Sequence, residues 1–160
     1  MKKIRIAVLE ERNKKKIDQY LKNIKKIIKD GRVILGPVIS QLEEKIKKYL
    51  NAKHVILTGS GTDSLYIAIK SLNIRNNSEI ITTPLSWVTP ANSILLNGYR
   101  PVFADIGDDL NILPSSIEKL INKNTKAILA VHYSGRPTDI KLIRKITKKN
   151  GLYLIEDCAH

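Results

Sequence analysis

The sequence has only one cysteine among its 160 residues, Cys158, so it cannot form an internal disulfide. Its cysteine content therefore gives no indication of an oxidising compartment. It also lacks the run of about 18 apolar residues that a membrane-spanning helix needs. The apolar run at residues 4–9 is short, contains Arg5 and is followed by Glu10, which is unlike a signal peptide. We therefore expect a cytoplasmic protein with no membrane partner.

Acidic residues are scarce: 15 Asp and Glu stand against 28 Lys and Arg, which gives a formal net charge of +13. This charge permits two interpretations, a face that binds nucleic acid or another polyanion, or a lysine-coated surface in water. Much of the excess lies on the polar sides of predicted helices, at residues 14–29, 45–48 and 141–149. Because charge runs on helices usually face water, we favour the solvated surface and expect no nucleic-acid partner.

Apolar residues recur at steps of three and four in the first 50 residues, which predicts two amphipathic helices. Their apolar stripes are Ile17, Tyr20, Leu21, Ile24, Ile27 and Ile28, ended by Gly31, and then Val38, Leu42, Ile46 and Leu50. This part of the chain is therefore predicted to be a helical N-terminal segment.

From residue 54 onward, short apolar runs alternate with helical patterns. The predicted strands are 54–57, 79–82, 101–105, 127–131 and 152–156, and the predicted helices are 62–72, 86–96, 114–121 and 138–149. Strands with almost no polar interruption, such as 127–131, are typical of a sheet covered on both faces. The order predicts an α/β fold with a doubly wound, mostly parallel sheet. Ligands of such sheets bind at the carboxyl ends of the strands.

The segment TGSGTD at residues 58–63 lies at one such end, between a predicted strand and a helix. Glycines let backbone N–H groups approach an anion, hydroxyls add donors, and a helix N-terminus favours negative charge, so a phosphate cradle is one interpretation. The other is a tight turn with Ser60 or Thr62 as a helix cap. The spacing matches neither GxxxxGK[ST] nor GxGxxG.

Three further side chains follow predicted strands. Trp87, the only tryptophan, is either a flat surface for a heteroaromatic ring or a core residue. Asp157 is either the partner of a protonated ring nitrogen or a helix cap or surface group, and His160 is placed to pack beside the same ring. His132 and Arg136 are weaker candidates, because a structural role in a loop is the favoured alternative for both.

Taken together and in this order, the motifs resemble the DegT/StrS family of fold-type-I sugar aminotransferases, which depend on pyridoxal 5′-phosphate (PLP). The similarity covers nearly the whole chain. Its seven blocks are residues 31–37, 60–65, 79–84, 98–106, 125–128, 131–137 and 156–160.

The resemblance implies a cofactor bed. Gly61, Thr62 and Asp63 would contact the cofactor phosphate, and Trp87 would stack on the pyridine ring. Asp157 would pair with the pyridine nitrogen, and His160 would approach the ring hydroxyl. The resemblance further implies a nucleotide-linked keto-sugar as substrate, an amino-acid donor, typically glutamate, and a homodimer.

One departure from the family pattern concerns the catalytic lysine. In the family, the Schiff-base lysine and a phosphate-binding serine follow the block that matches residues 156–160, and no lysine of this sequence matches that place. Residues 1–160 are thus expected to hold the helical segment and an incomplete PLP-binding large domain, without the C-terminal part and the small domain. The chain alone is expected to be inactive in transamination. Two alternatives are a non-catalytic fragment that binds PLP or a nucleotide-sugar, and a PLP-dependent sugar dehydratase.

Overall fold

The computed structural model describes residues 13–160, which form two compact units that divide between Leu57 and Thr58. The apolar run at residues 4–9 lies outside the described residues. Within the described part, no helix is long and apolar enough to cross a membrane.

The first unit contains the two predicted helices. Helix α1 (Lys14–Lys29) begins after Asn13, whose side chain accepts hydrogen bonds from the Lys15 and Lys16 amides. It ends before Gly31, which has the positive φ of 65° that favours glycine. Helix α2 (Pro37–Leu50) begins at a proline and ends at Asn51 in the left-handed conformation.

The strand predicted at residues 54–57 is wrong. This segment pairs with no strand among the described residues, and the Ile56 side chain is 78% exposed. A strand needs a neighbouring strand for its backbone groups, and the local apolar pattern does not provide one. The Leu57 amide instead donates to the Glu43 carboxylate of α2 at 3.0 Å.

The second unit is an α/β structure that confirms the predicted fold class. Its elements in chain order are α3 (Gly61–Ser71), β1 (Glu79–Thr82), α4 (Thr89–Leu96), β2 (Arg100–Phe103), α5 (Pro114–Leu120), β3 (Thr125–Val131), α6 (Ile140–Asn150) and β4 (Tyr153–Asp157). The strands form one sheet in the order β2-β1-β3-β4, and every neighbouring pair is parallel. A short 3-10 turn at Tyr133–Gly135, which the sequence did not predict, follows β3.

Helices cover both faces of this sheet, as the uninterrupted apolar strands predicted. On one face, α3 and α4 pack against alternate strand residues through Leu65, Ile69 and Ile94. On the other face, α5 and α6 pack through residues such as Ile117 and Ile143. Burial of these side chains on two sides stabilises the sheet as the middle layer of three.

Two helices begin later than predicted, for local chemical reasons. Helix α4 begins at Thr89 rather than residue 86, because Pro90 favours the first turn of a helix. Helix α6 begins at Ile140 rather than residue 138, because the Asp139 side chain caps it by accepting from the Leu142 amide at 3.0 Å. The later start of α4 leaves Trp87 in the loop after β1.

The strand order creates a switch point between β1 and β3. The connection from β1 runs through α4 to β2 on one side, whereas the connection from β3 runs through α6 to β4 on the other. The two connections therefore diverge at the carboxyl ends of adjacent strands. Open parallel sheets bind ligands in the crevice at such a point.

A buried carboxylate ties the strands together at the opposite, amino edge of the sheet. Glu79 has a side chain only 4% exposed, and it forms an ion pair with Arg100 at the start of β2. Asn122, just before β3, donates to the other Glu79 oxygen at 2.7 Å. These hydrogen bonds, from Asn122 first and then from Arg100, lower the pKa of Glu79 from its ordinary value.

We predict that Glu79→Gln lowers the free energy of unfolding by about 1 kcal/mol at neutral pH, because charged hydrogen bonds become neutral ones. A lowered folded-state pKa gives stability that is fully present above the unfolded value of about 4.3 and is lost as the pH falls through the folded value. The difference between wild type and variant should therefore shrink below about pH 4. Urea unfolding of the full chain at several pH values measures it.

Glu118→Gln is the matched control, because Glu118 is exposed on α5. It should change the unfolding free energy by less than about 0.5 kcal/mol at every pH. An equal effect of the two substitutions, or a Glu79→Gln deficit that persists in acid, would contradict the role given to Glu79.

Candidate functional site

A pocket of about 280 Å³ opens at the carboxyl edge of the sheet in the second unit. It is bounded by the start of α3, the loop after β1, the start of α4 and the segments that end β3 and β4. Its lining residues are Gly61, Thr62, Leu65, Ser86, Trp87, Thr89, Pro90, Val131, Asp157, Ala159 and His160. Five of the six predicted site residues are among them, and Asp63 is not.

The start of α3 offers two backbone donors to this pocket. Ser60 caps the helix: its Oγ accepts from the Asp63 amide at 3.1 Å and donates to Asp63 Oδ2 at 2.9 Å. The Ser64 amide is bonded to the Ser60 carbonyl. Within the described part of the chain, the Gly61 and Thr62 amides have no protein acceptor. They are thus available to an anion at the positive end of the helix dipole.

Asp63 has a role inside the turn rather than at the pocket wall. Its amide and its carboxylate are both bonded to Ser60, and an added Cβ at Gly59 would lie 3.1 Å from Asp63 Oδ2. This reciprocal pair is a variant of the capping box, in which the third helical residue bonds back to the cap. The cap interpretation and the cradle interpretation of this segment therefore apply to different groups of the same turn.

Trp87 is 77% exposed and lines the pocket from the loop after β1. The core alternative considered for this residue is wrong, because the later start of α4 keeps the indole outside the helix packing. An exposed indole at a pocket wall is a flat apolar surface on which another ring can stack.

Asp157 is the last residue of β4 and lies opposite Val131 of β3 in the parallel register. Its Oδ1 accepts from the Ala159 amide at 3.1 Å. Among residues 13–160, its Oδ2 has no protein donor, so one carboxylate oxygen remains for a ligand. A carboxylate so placed can hold a protonated ring nitrogen.

His160 lies beside the turn that follows β3. Its Nδ1 accepts from the Ser134 amide at 3.0 Å, and the Tyr133 ring meets the imidazole edge to face, with centroids 5.9 Å apart. These contacts hold the imidazole at the pocket wall.

His132 was only a weak candidate from the sequence, but in the structure it makes defined contacts. Its Nδ1 accepts from the Thr138 amide at 3.1 Å, so Nε2 carries the proton and faces Glu156 Oε2 at 3.3 Å. Arg144 donates to the other Glu156 oxygen at 2.8 Å. The His132 amide also donates to the Asp157 carbonyl at 3.1 Å. This network fixes the end of β4 against β3, and no local sequence signal reveals such long-range pairs.

The described residues near the pocket offer neither a lysine amine nor an activated thiol. Burial, followed by the charges of Glu156 and Asp157, raises the pKa of the Cys158 thiol, which disfavours the reactive thiolate. No lysine is among the pocket-lining residues in the described part of the chain. Residues 13–160 also contain no group of three His, Cys, Asp or Glu side chains able to hold a metal ion.

Comparison with known proteins gives relatives over most of the chain. It is 34% identical over 143 residues to the spore coat polysaccharide biosynthesis protein SpsC of Bacillus subtilis (strain 168), covering 89% of this chain and 37% of that protein. It is 38% identical to Helicobacter pylori PseC, an aminotransferase of pseudoaminic acid biosynthesis, with a TM-score of 0.74 over 77% of this chain and 34% of that one.

A third relative is Bacillus subtilis NtdA, whose crystal structure has the cofactor PMP bound. It is 32% identical, with a TM-score of 0.87 over 91% of this chain and 34% of that one. The chain thus spans between 34% and 37% of the length of these three relatives. Residues 14–160 match the profile of one family directly, and the chain belongs to the DegT/DnrJ/EryC1/StrS aminotransferase family.

Proposed function

We propose that this chain forms the cofactor bed of a PLP-dependent aminotransferase that acts on a nucleotide-linked keto-sugar. The observation that carries the proposal is the meeting of three groups on one pocket: the free amides that begin α3, the exposed Trp87 indole and the Asp157 carboxylate. A phosphate, an aromatic ring and a ring nitrogen are the three parts of PLP that such groups recognise.

The donors at the start of α3 suit a phosphate. The Gly61 and Thr62 amides and the Thr62 hydroxyl offer three donors, and the helix dipole adds positive potential. An added Cβ at Gly61 would meet nothing within 4 Å, so the space beside its Cα is open. Asp63 supports the phosphate site by fixing Ser60, in place of a direct contact.

Other residues that line the pocket suit the ring. The pocket volume of about 280 Å³ is near the lower end of the range for small-molecule sites. Asp157 holds its carboxylate in place through the Ala159 amide and keeps Oδ2 for a ring N–H. PLP bound there would supply an electron sink, which a carboxylate beside the ring nitrogen maintains. Trp87 would cover one face of the ring and exclude water from it.

Our proposals for the substrate, the amino donor and the partner subunit depend on the family to which the chain belongs. SpsC belongs to spore coat polysaccharide biosynthesis and PseC to pseudoaminic acid biosynthesis. We accordingly propose a nucleotide-linked keto-sugar as amino acceptor, glutamate as donor, a homodimer and a cytoplasmic location. The non-catalytic binding fragment and the sugar dehydratase stay as alternatives, because both would use the same bed.

The reacting amine is not supplied by the described pocket, whose walls contain no lysine within residues 13–160. Transamination needs an amine that binds the cofactor covalently and then moves a proton. We therefore propose that residues 1–160 by themselves bind the cofactor without catalysing amino transfer.

We predict that pyridoxamine 5′-phosphate (PMP) quenches the fluorescence of Trp87, the only tryptophan of the chain. PMP has no aldehyde, so it cannot react with the many surface lysines. Asp157→Asn should weaken its binding about 10- to 100-fold, because a hydrogen bond between charged partners contributes about 1.5 to 3 kcal/mol. The Kd from a fluorescence titration of the full chain measures this.

The matched control is Asp108→Asn, which removes one negative charge from an exposed loop residue outside the pocket. Its Kd for PMP should equal that of wild type. Absence of quenching, or equal weakening by both substitutions, would contradict the assignment of this pocket.

A second prediction concerns the phosphate. Thr62→Val keeps the shape of the side chain but loses its hydroxyl, so it should weaken PMP about three- to tenfold. Pyridoxamine without phosphate serves as the control ligand, and its weaker affinity should not change. Inorganic phosphate should compete with PMP but not with pyridoxamine for the wild-type chain, which tests the same site without a variant. If Thr62→Val lowered the affinity for both ligands equally, the phosphate would not bind at the start of α3.

A further inference from the structure

The turn after β3 has an unusual backbone. Ser134 has φ of 51° and the next residue, Gly135, has φ of 76°. A residue with a Cβ is disfavoured in this left-handed region, and it persists only where the surroundings hold it. Ser134 is also the residue whose amide donates to His160. Some part of the structure must therefore impose this turn.

Asn111 is the group that holds it. Its side chain comes from the loop between β2 and α5 and is 2% exposed. Asn111 Oδ1 accepts from the Tyr133 amide at 3.1 Å, and Nδ2 donates to the Arg136 carbonyl at 3.3 Å and the Pro137 carbonyl at 3.5 Å. One buried amide thus bonds to the backbone on both sides of Ser134 and Gly135.

Asn111 is itself fixed by its own loop. Its backbone amide donates to Asp109 Oδ1 and its Nδ2 to Asp109 Oδ2, both at 3.1 Å. Its carbonyl accepts from the Gly107 amide at 2.9 Å. With both ends of the amide bonded, the side chain has one orientation, since a flip would oppose donor to donor.

The Ser134 amide decides which nitrogen of His160 carries the proton. An N–H that donates to Nδ1 requires a lone pair there, so the neutral imidazole has its proton on Nε2. Among residues 13–160, Nε2 has no protein partner, and His160 lines the pocket. His160 therefore offers a ligand a hydrogen-bond donor, whereas the other tautomer would offer a lone pair.

We propose that Asn111 is a positioning residue that sets the His160 tautomer through the Tyr133–Gly135 turn, so that the pocket presents an Nε2–H donor to an anionic ring oxygen. The identity of that oxygen, the ring hydroxyl of the cofactor, rests on the proposed function. The tautomer itself belongs to the protein alone and can be measured without a ligand.

The test is long-range 15N–1H correlation of the histidine side chains in the labelled full chain, above the ordinary histidine pKa of about 6.5. The chain has three histidines, and the other two serve as reference patterns for His160. His54 is exposed and should show averaged nitrogens, whereas His132 is fixed with its proton on Nε2 by Thr138 and Glu156. Wild-type His160 should match His132, and Asn111→Ala should move it toward the averaged pattern of His54.

Two further variants separate positioning from general loss of stability. Asn97→Ala removes another buried asparagine, whose Nδ2 donates to the Ser93 and Tyr66 carbonyls away from the turn, and it should leave the His160 pattern unchanged. Gly135→Ala places a side chain at a left-handed position, strains the turn without opening the core, and should change the pattern as Asn111→Ala does. Gly135→Ala decides the question if Asn111→Ala fails to fold.

The proposal is overturned if wild-type His160 shows nitrogen signals averaged over both tautomers. It is also overturned if the His160 pattern stays the same when the turn is disrupted. PMP titration then gives an independent readout: Asn111→Ala should weaken PMP about three- to tenfold, as expected for the loss of one hydrogen bond. If wild type binds no PMP while the tautomer behaves as stated, the proposed function fails and the positioning role of Asn111 stands. If PMP binds normally and the His160 nitrogen signals are averaged, the proposed function stands and the positioning role of Asn111 fails.

Discussion

The parallel pairing of β3 with β4 is the constraint on which the site depends. It sets Asp157 opposite Val131, and the His132 amide extends the ladder by one bond to the Asp157 carbonyl. Since strand side chains alternate between faces, a slip of one residue would turn Asp157 away from the pocket. The Glu156 side chain, on the alternate face, takes the bonds from His132 and Arg144 that oppose such a slip. Register and ligand chemistry are thus set by adjacent residues.

The pocket combines two opposite electrostatic ends. The start of α3 presents free amides and the positive end of a helix dipole, whereas β4 presents a carboxylate with one free oxygen. A ligand that suits both must carry an anionic group at one end and a cationic or donor group at the other. Trp87, which lines the same pocket, adds an apolar surface for a flat body. This polarity argues for a phosphorylated heteroaromatic ring more strongly than any one residue does.

The sequence predicted those features that depend on local patterns. The strand at residues 127–131 is a continuous apolar run, that at 79–82 has an apolar centre, and α3 begins at a serine cap, so the layers and the site edge could be inferred. The strand predicted at residues 54–57 failed because pairing requires a partner strand. The Asn111 contacts join residues 22 to 26 positions apart, and no local pattern encodes them. Trp87 was predicted within a helix at residues 86–96, and the later start of that helix at Thr89, next to Pro90, leaves it in the loop instead.

The two edges of the sheet each contain a buried polar group, and they differ in what those groups hold. At the amino edge, Glu79 joins the starts of β1 and β2 to the segment before β3. At the carboxyl edge, Asn111 holds a loop rather than strands. Buried polar groups are costly unless they are fully bonded, so each must order the structure around it. Stability and site geometry are therefore controlled from opposite edges, and a substitution at the amino edge should weaken the fold without altering the pocket.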